Sequence, residues 1–140
     1  MPLTPGSFQN GFVTKDPNSY LLFQHYQAVT AQHLPVAMWI DNPFVTFILP
    51  LAHSHDLIMH GVLAMSGAHL SHSSTSMQIK AASLTHYALA VRGVKHELTK
   101  KLNGEDVDTL HLLLAILLLC QVEVSLLSWM MFRHLIYNPI

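Results

Sequence analysis

The chain has 140 residues, enough for one domain with a core of its own. Hydrophobic residues make up 51% and charged residues 11%, with a formal net charge of -1 and a single cysteine, Cys120. The usual charged share is about 25%, so apolar surface is left over for further contacts. Clustered cations of the kind that displace counterions from a duplex are absent, because Lys95, Lys100 and Lys101 lie near Glu97, Glu105 and Asp106. One cysteine excludes an internal disulfide and a cysteine-based zinc site.

The first residues carry Pro2, Pro5, Gly6, Gly11 and Pro17 and no basic-then-apolar signal pattern, so residues 1–18 read as a flexible leader. Asn18 or Ser19 caps a first helix over about residues 20–33, with Leu22, Tyr26 and Val29 on one face and Leu21 and His25 beside it. Pro35 stops it, and Trp39 in the connector reads as a core anchor. Asn42 and Pro43 start a short apolar helix that Pro50 ends or kinks. Ser54 caps a longer helix with Asp56 in its first turn, where negative charge suits the helix dipole. Ile58, Val62 and Met65 recur there at helical spacing, and Gly61, Ala64 and Ala68 form a small-residue stripe that lets a neighbour come close. This helix is expected to be central.

A polar turn at residues 71–76 follows, with Ser74 or Thr75 as the cap of a helix over residues 77–102. Met77, Ala81, Leu84, Ala88, Val91, Leu98 and Leu102 alternate at steps of four and three, interrupted by Lys95. A two-stranded coiled coil wants several heptads with charged flanks, so a bundle helix with this stripe as its packing face is the expectation. Gly93 in its interior costs about 1 kcal/mol relative to Ala, and Glu97 and Lys101 pair one turn apart. Asn103-Gly104 is a turn, and Asp106 or Asp108 caps the last helix, over about residues 109–127. Its run 112–120 is apolar nearly all round but shorter than the about 20 residues a membrane span needs, so it is expected as a buried helix with no span. Glu123 is expected near its end as a buried carboxylate with a hydrogen-bond partner. Residues 128–140, with Trp129 and His134, show no clear period.

The side chains that could carry chemistry form no convergent set. His53, His55, Asp56 and His60 approach the H-x-H-x-D-H pattern of metallo-hydrolases, but the Asp follows directly and the last His comes four residues later. Capping and surface exposure account for them, and for His69 and His72, without a metal. Ser66 lies in A-M-S-G-A, lacking both outer glycines of a nucleophile elbow and sitting mid-helix. No phosphate-binding glycine loop is present. No catalytic, cofactor-binding or metal-ligating residue is therefore assigned, no cofactor is expected, and an enzyme ranks last among the readings.

Three blocks carry a resemblance: L-L-F-Q-H-Y-Q-A-V-T (residues 21–30); N-P-F-V-T-F-I-L-P-L-A (42–52) running into D-L-I-M-H-G-V-L-A-M-S-G-A-H-L (56–70); and H-Y-A-L-A-V (86–91) with L-L-L-A-I-L-L-L-C-Q-V-E-V (112–124). In this order they resemble the regulatory region of fungal zinc-cluster transcription factors, the fungal-specific transcription factor domain, over about residues 20–135. The resemblance implies an all-α domain in a nuclear protein, downstream of a DNA-binding module that it modulates, in some members by taking up a small apolar ligand. The six-cysteine zinc cluster is absent here, so direct DNA binding does not carry over. The family domain continues beyond this length, so the chain resembles its first part.

The expectation is an all-α, irregular array of about five helices over residues 19–140, incomplete on one side. It would act as a fragment of a regulatory domain in the nucleus, through protein partners or self-association on apolar helix faces. The alternative is a helical binding module for an apolar small molecule such as a sterol.

Overall fold

The computed structural model describes residues 11–33, 42–74 and 76–137, and the expectations placed on Trp39 and Thr75 lie outside them. The described residues are all-α, with six α-helices: α1 (Gly11–Lys15), α2 (Pro17–Ala28), α3 (Leu49–Ser54), α4 (Asp56–Leu70), α5 (Met77–Leu102) and α6 (Thr109–Tyr137). A 3-10 turn, Thr30–His33, follows α2, and a π-helical turn, Phe44–Ile48, leads into α3. Within the stretch read as leader, Gly11–Lys15 form α1 and bury Val13 completely.

Asp16, rather than Asn18 or Ser19, caps α2. Its carboxylate accepts the Asn18 amide at 3.1 Å, and Pro17 takes the first helical position, where its missing N–H costs nothing. Ser19, Leu22, Phe23 and Tyr26 turn inward, while Leu21 is exposed. The Asn42 side chain accepts the Phe44 amide at 3.0 Å, as a cap should. Pro50 does not end the helix that follows. Leu49 keeps helical angles (φ -60, ψ -46), and Pro50 falls in the first turn of α3 behind the wider π turn. The break comes at His55, whose extended backbone (φ -134, ψ 108) caps α4 in place of Ser54. Ser54 instead donates its hydroxyl to Leu51 O at 3.3 Å.

Helix α4 is the centre of the array. Ile58, Met59 and every residue from Gly61 to Ala68 are buried. A helix buried all round has neighbours on all sides, and each fully buried large apolar side chain contributes about 1.5–3 kcal/mol. On one side Leu118 of α6 sits where a Gly61 Cβ would come within 3.1 Å. On another, Ser83 of α5 occupies the space of a Gly67 Cβ, with the Ser83 Cα only 3.1 Å from that position. The expected small-residue stripe of Gly61, Ala64 and Ala68 is thus buried, but the tightest approach is at Gly67. Tyr26 anchors α2 from below, donating its hydroxyl to Phe44 O at 3.0 Å, and Ser66 of α4 donates to Leu22 O at 2.6 Å.

Helix α5 spans the expected residues but is rotated from the expected orientation. Ser76 caps it through the Ile79 amide. Its inward residues are Ile79, Ser83, His86 and Ala90. The stripe of Met77, Ala81, Leu84, Ala88, Val91, Leu98 and Leu102 faces outward and is exposed, Leu84 at 65% and Leu102 at 87%. The cause is steric: small side chains face α4 at close approach, and a leucine row would not fit there. Gly93 belongs to the same inward face, since a Cβ there would reach 2.7 Å from Leu57 Cδ1. Glu97 pairs with Lys100 at 3.5 Å, not with Lys101, whose amine donates to Thr109 Oγ1 at 3.1 Å across the turn. Gly104 takes φ +80 in that turn, a conformation natural to glycine. Asp108 caps α6 by accepting the His111 amide at 3.1 Å.

Helix α6 continues to Tyr137, well past the expected end, because no Pro or Gly interrupts it over that length. It is not surrounded: Leu112, Ala115, Leu118 and Val122 are buried, whereas Leu110, Leu113, Leu117 and Cys120 are exposed. By length and composition it could cross a membrane, with a mean hydropathy of 2.2 over its most apolar window, of which 22% is buried. Replacing Gly67 with Ala should cost about 1–3 kcal/mol by overpacking against Ser83. Urea denaturation measures this, and adding Ser83→Gly should recover part of the loss. An unchanged midpoint for G67A would refute the described α4–α5 contact.

Candidate functional site

The residues weighed for chemistry are dispersed. Ser66 is buried on α4 with its hydroxyl proton committed to Leu22 O. His53 is buried against Phe23, ring centroids 5.6 Å apart. His55 faces Leu51 O and the His111 ring, and His60 turns to α5. His69 lies within 3.2 Å of both His25 Nε2 and Thr30 Oγ1. Among the described residues no three or more His, Cys, Asp or Glu side chains are grouped to hold a metal ion. Glu123 is exposed, contrary to expectation, and accepts the Tyr87 hydroxyl at 2.8 Å. That bond pushes the Tyr87 pKa up.

One polar chain runs from exposed Asp16 through buried Ser19 and His86 to half-buried His60. Ser19 Oγ donates to Asp16 Oδ2 at 2.8 Å, His86 Nε2 lies 2.7 Å from Ser19 Oγ, and His86 Nδ1 lies 2.9 Å from His60 Nδ1. Since the serine proton goes to the carboxylate, Ser19 Oγ accepts from His86 Nε2–H. His86 Nδ1 then accepts from His60 Nδ1–H, and every donor points toward Asp16. The order is the reverse of a nucleophilic triad, in which the imidazole takes the serine proton. The bond from Ser19 lowers the Asp16 pKa. Burial, then the neighbouring His60, depresses His86 to about 4, with Asp16 opposing, and burial lowers His60 against the pull of Asp56. Both imidazoles are neutral near pH 7, and Phe12 of α1 stacks on His60 at 4.6 Å. The chain clasps α1, α2, α4 and α5 together. Sequence reading misses it: Ser19 and His86 stand 67 positions apart, and nothing local in either links them.

Two surface features remain. A half-open cleft of about 370 Å³ lies between α4, α5 and α6, with Ala68, Leu84, Tyr87, Val122 and Leu126 forming an apolar lining and Lys80 at its edge. The outer face of α6 is broad and apolar, with Leu113, Leu117, Val124, Leu127, Met130 and Met131 all exposed, and α5 carries a narrower apolar stripe.

The clasp sets a pH dependence. His86 is depressed in the folded state, so between pH 6.5 and about 4 the unfolded chain binds the extra proton. Stability therefore rises with pH through that window and is lost as pH falls through it. The urea midpoint should drop on going from pH 7 to 4.5, and His86→Gln should flatten that dependence while lowering stability at pH 7. An equally steep dependence in the variant would contradict the clasp.

A family model described as the fungal specific transcription factor domain matches residues 20–135, taking in most of α2 and the helices after it up to the last residues of α6. No curated protein and no solved structure matches the chain. Because that match spans well over half of the chain, the chain belongs to the fungal specific transcription factor domain family.

Proposed function

We propose that this chain is part of a transcription-factor regulatory domain that works in the nucleus through protein–protein contacts made by the outer face of α6. Membership of the family supplies the regulatory role, in a class of domains that is not enzymatic. The observation that carries the mode of action is the α6 face itself. Leu113, Leu117, Leu127, Met130 and Met131 are exposed on a helix whose inner face is already packed on α4. Apolar patches of this kind mark interaction surfaces. Tyr87 of α5 donates its hydroxyl to Glu123 of α6, which supports reading α6 as part of the domain. The one cysteine of these 140 residues cannot build a zinc cluster, so on this reading DNA contact would fall to a different module.

Light scattering after size exclusion tests this reading. The native chain should associate as concentration rises. Substituting Leu113, Leu117 and Leu127 with Gln should yield a monomer whose stability changes by less than about 0.5 kcal/mol per site. A native monomer at every concentration, or a chain recovered only with floated lipid vesicles, would contradict it.

The cleft favours a second reading, a module for an apolar small molecule such as a sterol. Its volume of about 370 Å³ lies within the range of ligand sites, and its lining is mostly apolar. A sterol at a hundred times its Kd should stabilise the fold by about 2.7 kcal/mol. Leu84→Gln should abolish that gain, and no thermal shift with any apolar ligand would remove this reading.

A further inference from the structure

We infer that the outward stripe of α5 is a docking seam for an acidic amphipathic helix of a partner protein. The inference rests on the reading that the domain works through protein contacts, but it concerns a different face. Met77, Ala81, Leu84, Ala88, Val91, Lys95, Leu98 and Leu102 keep the alternating four-three step through the whole of α5. That is the a/d repeat of a coiled-coil seam, about 38 Å long at 1.5 Å per residue. It is exposed along its length, with two alanines where a second helix would come nearest.

Charge decides the occupant. Five of the seven Lys and Arg residues of the chain lie on α5, Lys80, Arg92, Lys95, Lys100 and Lys101, against one acid, Glu97. Glu97 is taken by Lys100, and Lys101 is bonded across the turn to Thr109. Lys80 and Arg92 flank the seam and Lys95 stands in it, none with an ion pair among the described residues. A second copy of this seam supplies no carboxylate to any of them. Paired in parallel it sets Lys95 against Lys95, and paired antiparallel about the helix middle it buries Lys95 against Leu84. A nucleic acid backbone would leave the leucines wet. A membrane-surface helix wants a wide apolar face, whereas Gln78, Thr85 and Thr99 border this one. A helix with apolar seam residues and Glu or Asp on its flanks satisfies both the leucine row and the three cations.

The test uses the full chain and two synthetic helices of about four heptads, each with a leucine seam, one flanked by Glu and its twin by Lys. Fluorescence anisotropy should show the Glu-flanked peptide binding at least about tenfold more tightly at low salt, with the gap narrowing as salt screens the charges. Leu84→Gln with Val91→Gln should abolish binding, and Arg92→Glu with Lys95→Glu should turn the preference to the Lys-flanked twin, circular dichroism confirming the fold in each. Equal binding of the two peptides would overturn the inference. So would a dimer formed on this seam that excludes both, or binding only to phosphatidylserine vesicles. If the Glu-flanked peptide fails while the association that depends on Leu113, Leu117 and Leu127 persists, the α5 inference falls and the reading of α6 stands.

Discussion

The close approach of Gly67 on α4 to Ser83 on α5 decides how the rest of this domain presents itself. A long helix that touches the core through small side chains is fixed in rotation by them. Ser83, His86 and Ala90 must face α4, and Leu57 fills the space beside Gly93 further along. Ala81 and Leu84 lie on the other side because two residues turn an α-helix by about 200°. The largest apolar residues of α5 are therefore left to the outside. The same logic holds for α6, where Leu118 enters beside Gly61 and so commits Leu113 and Leu117 to the exterior.

The polar chain from Asp16 to His60 locks that rotation. Neutral imidazoles buried with every donor directed at one carboxylate satisfy their hydrogen bonds, which removes most of the cost of burying polar groups. An apolar residue at position 86 would pack but would not select one angle of α5 against α2. The clasp is thus a device for specificity of packing. Its proton order commits the buried Ser19 hydroxyl to Asp16.

Much of this was legible in the residues. The existence and approximate limits of α4 and α5 follow from the polar stretches that flank them, although their caps are His55 and Ser76. The central place of α4 follows from its apolar and small stripes, and the family from the ordered blocks. The orientation of α5 was not legible, because a regular apolar row is the strongest local signal of a core face, and here it marks an outer one. The end of α6 was missed since residues 128–137 lack a period, which matters only for a helix with one wet face. The burial of Glu123 was misjudged because its apolar neighbours split between two faces: Val122 is buried, while Val124 and Leu126 are exposed. The clasp needed the tertiary structure, since its members come from three helices and the cap before one of them.

The most direct measurement is thiol labelling of single cysteines placed around α5 in a Cys120→Ser background. The account predicts that cysteines at Leu84 and Val91 react with maleimide at close to the rate of a free thiol. Cysteines at Ser83 and Ala90 should react only through opening of the fold, slower by at least about a hundredfold. Rapid labelling at Ser83 and Ala90 with protection at Leu84 and Val91 would show the leucine row turned inward, and the account would be wrong.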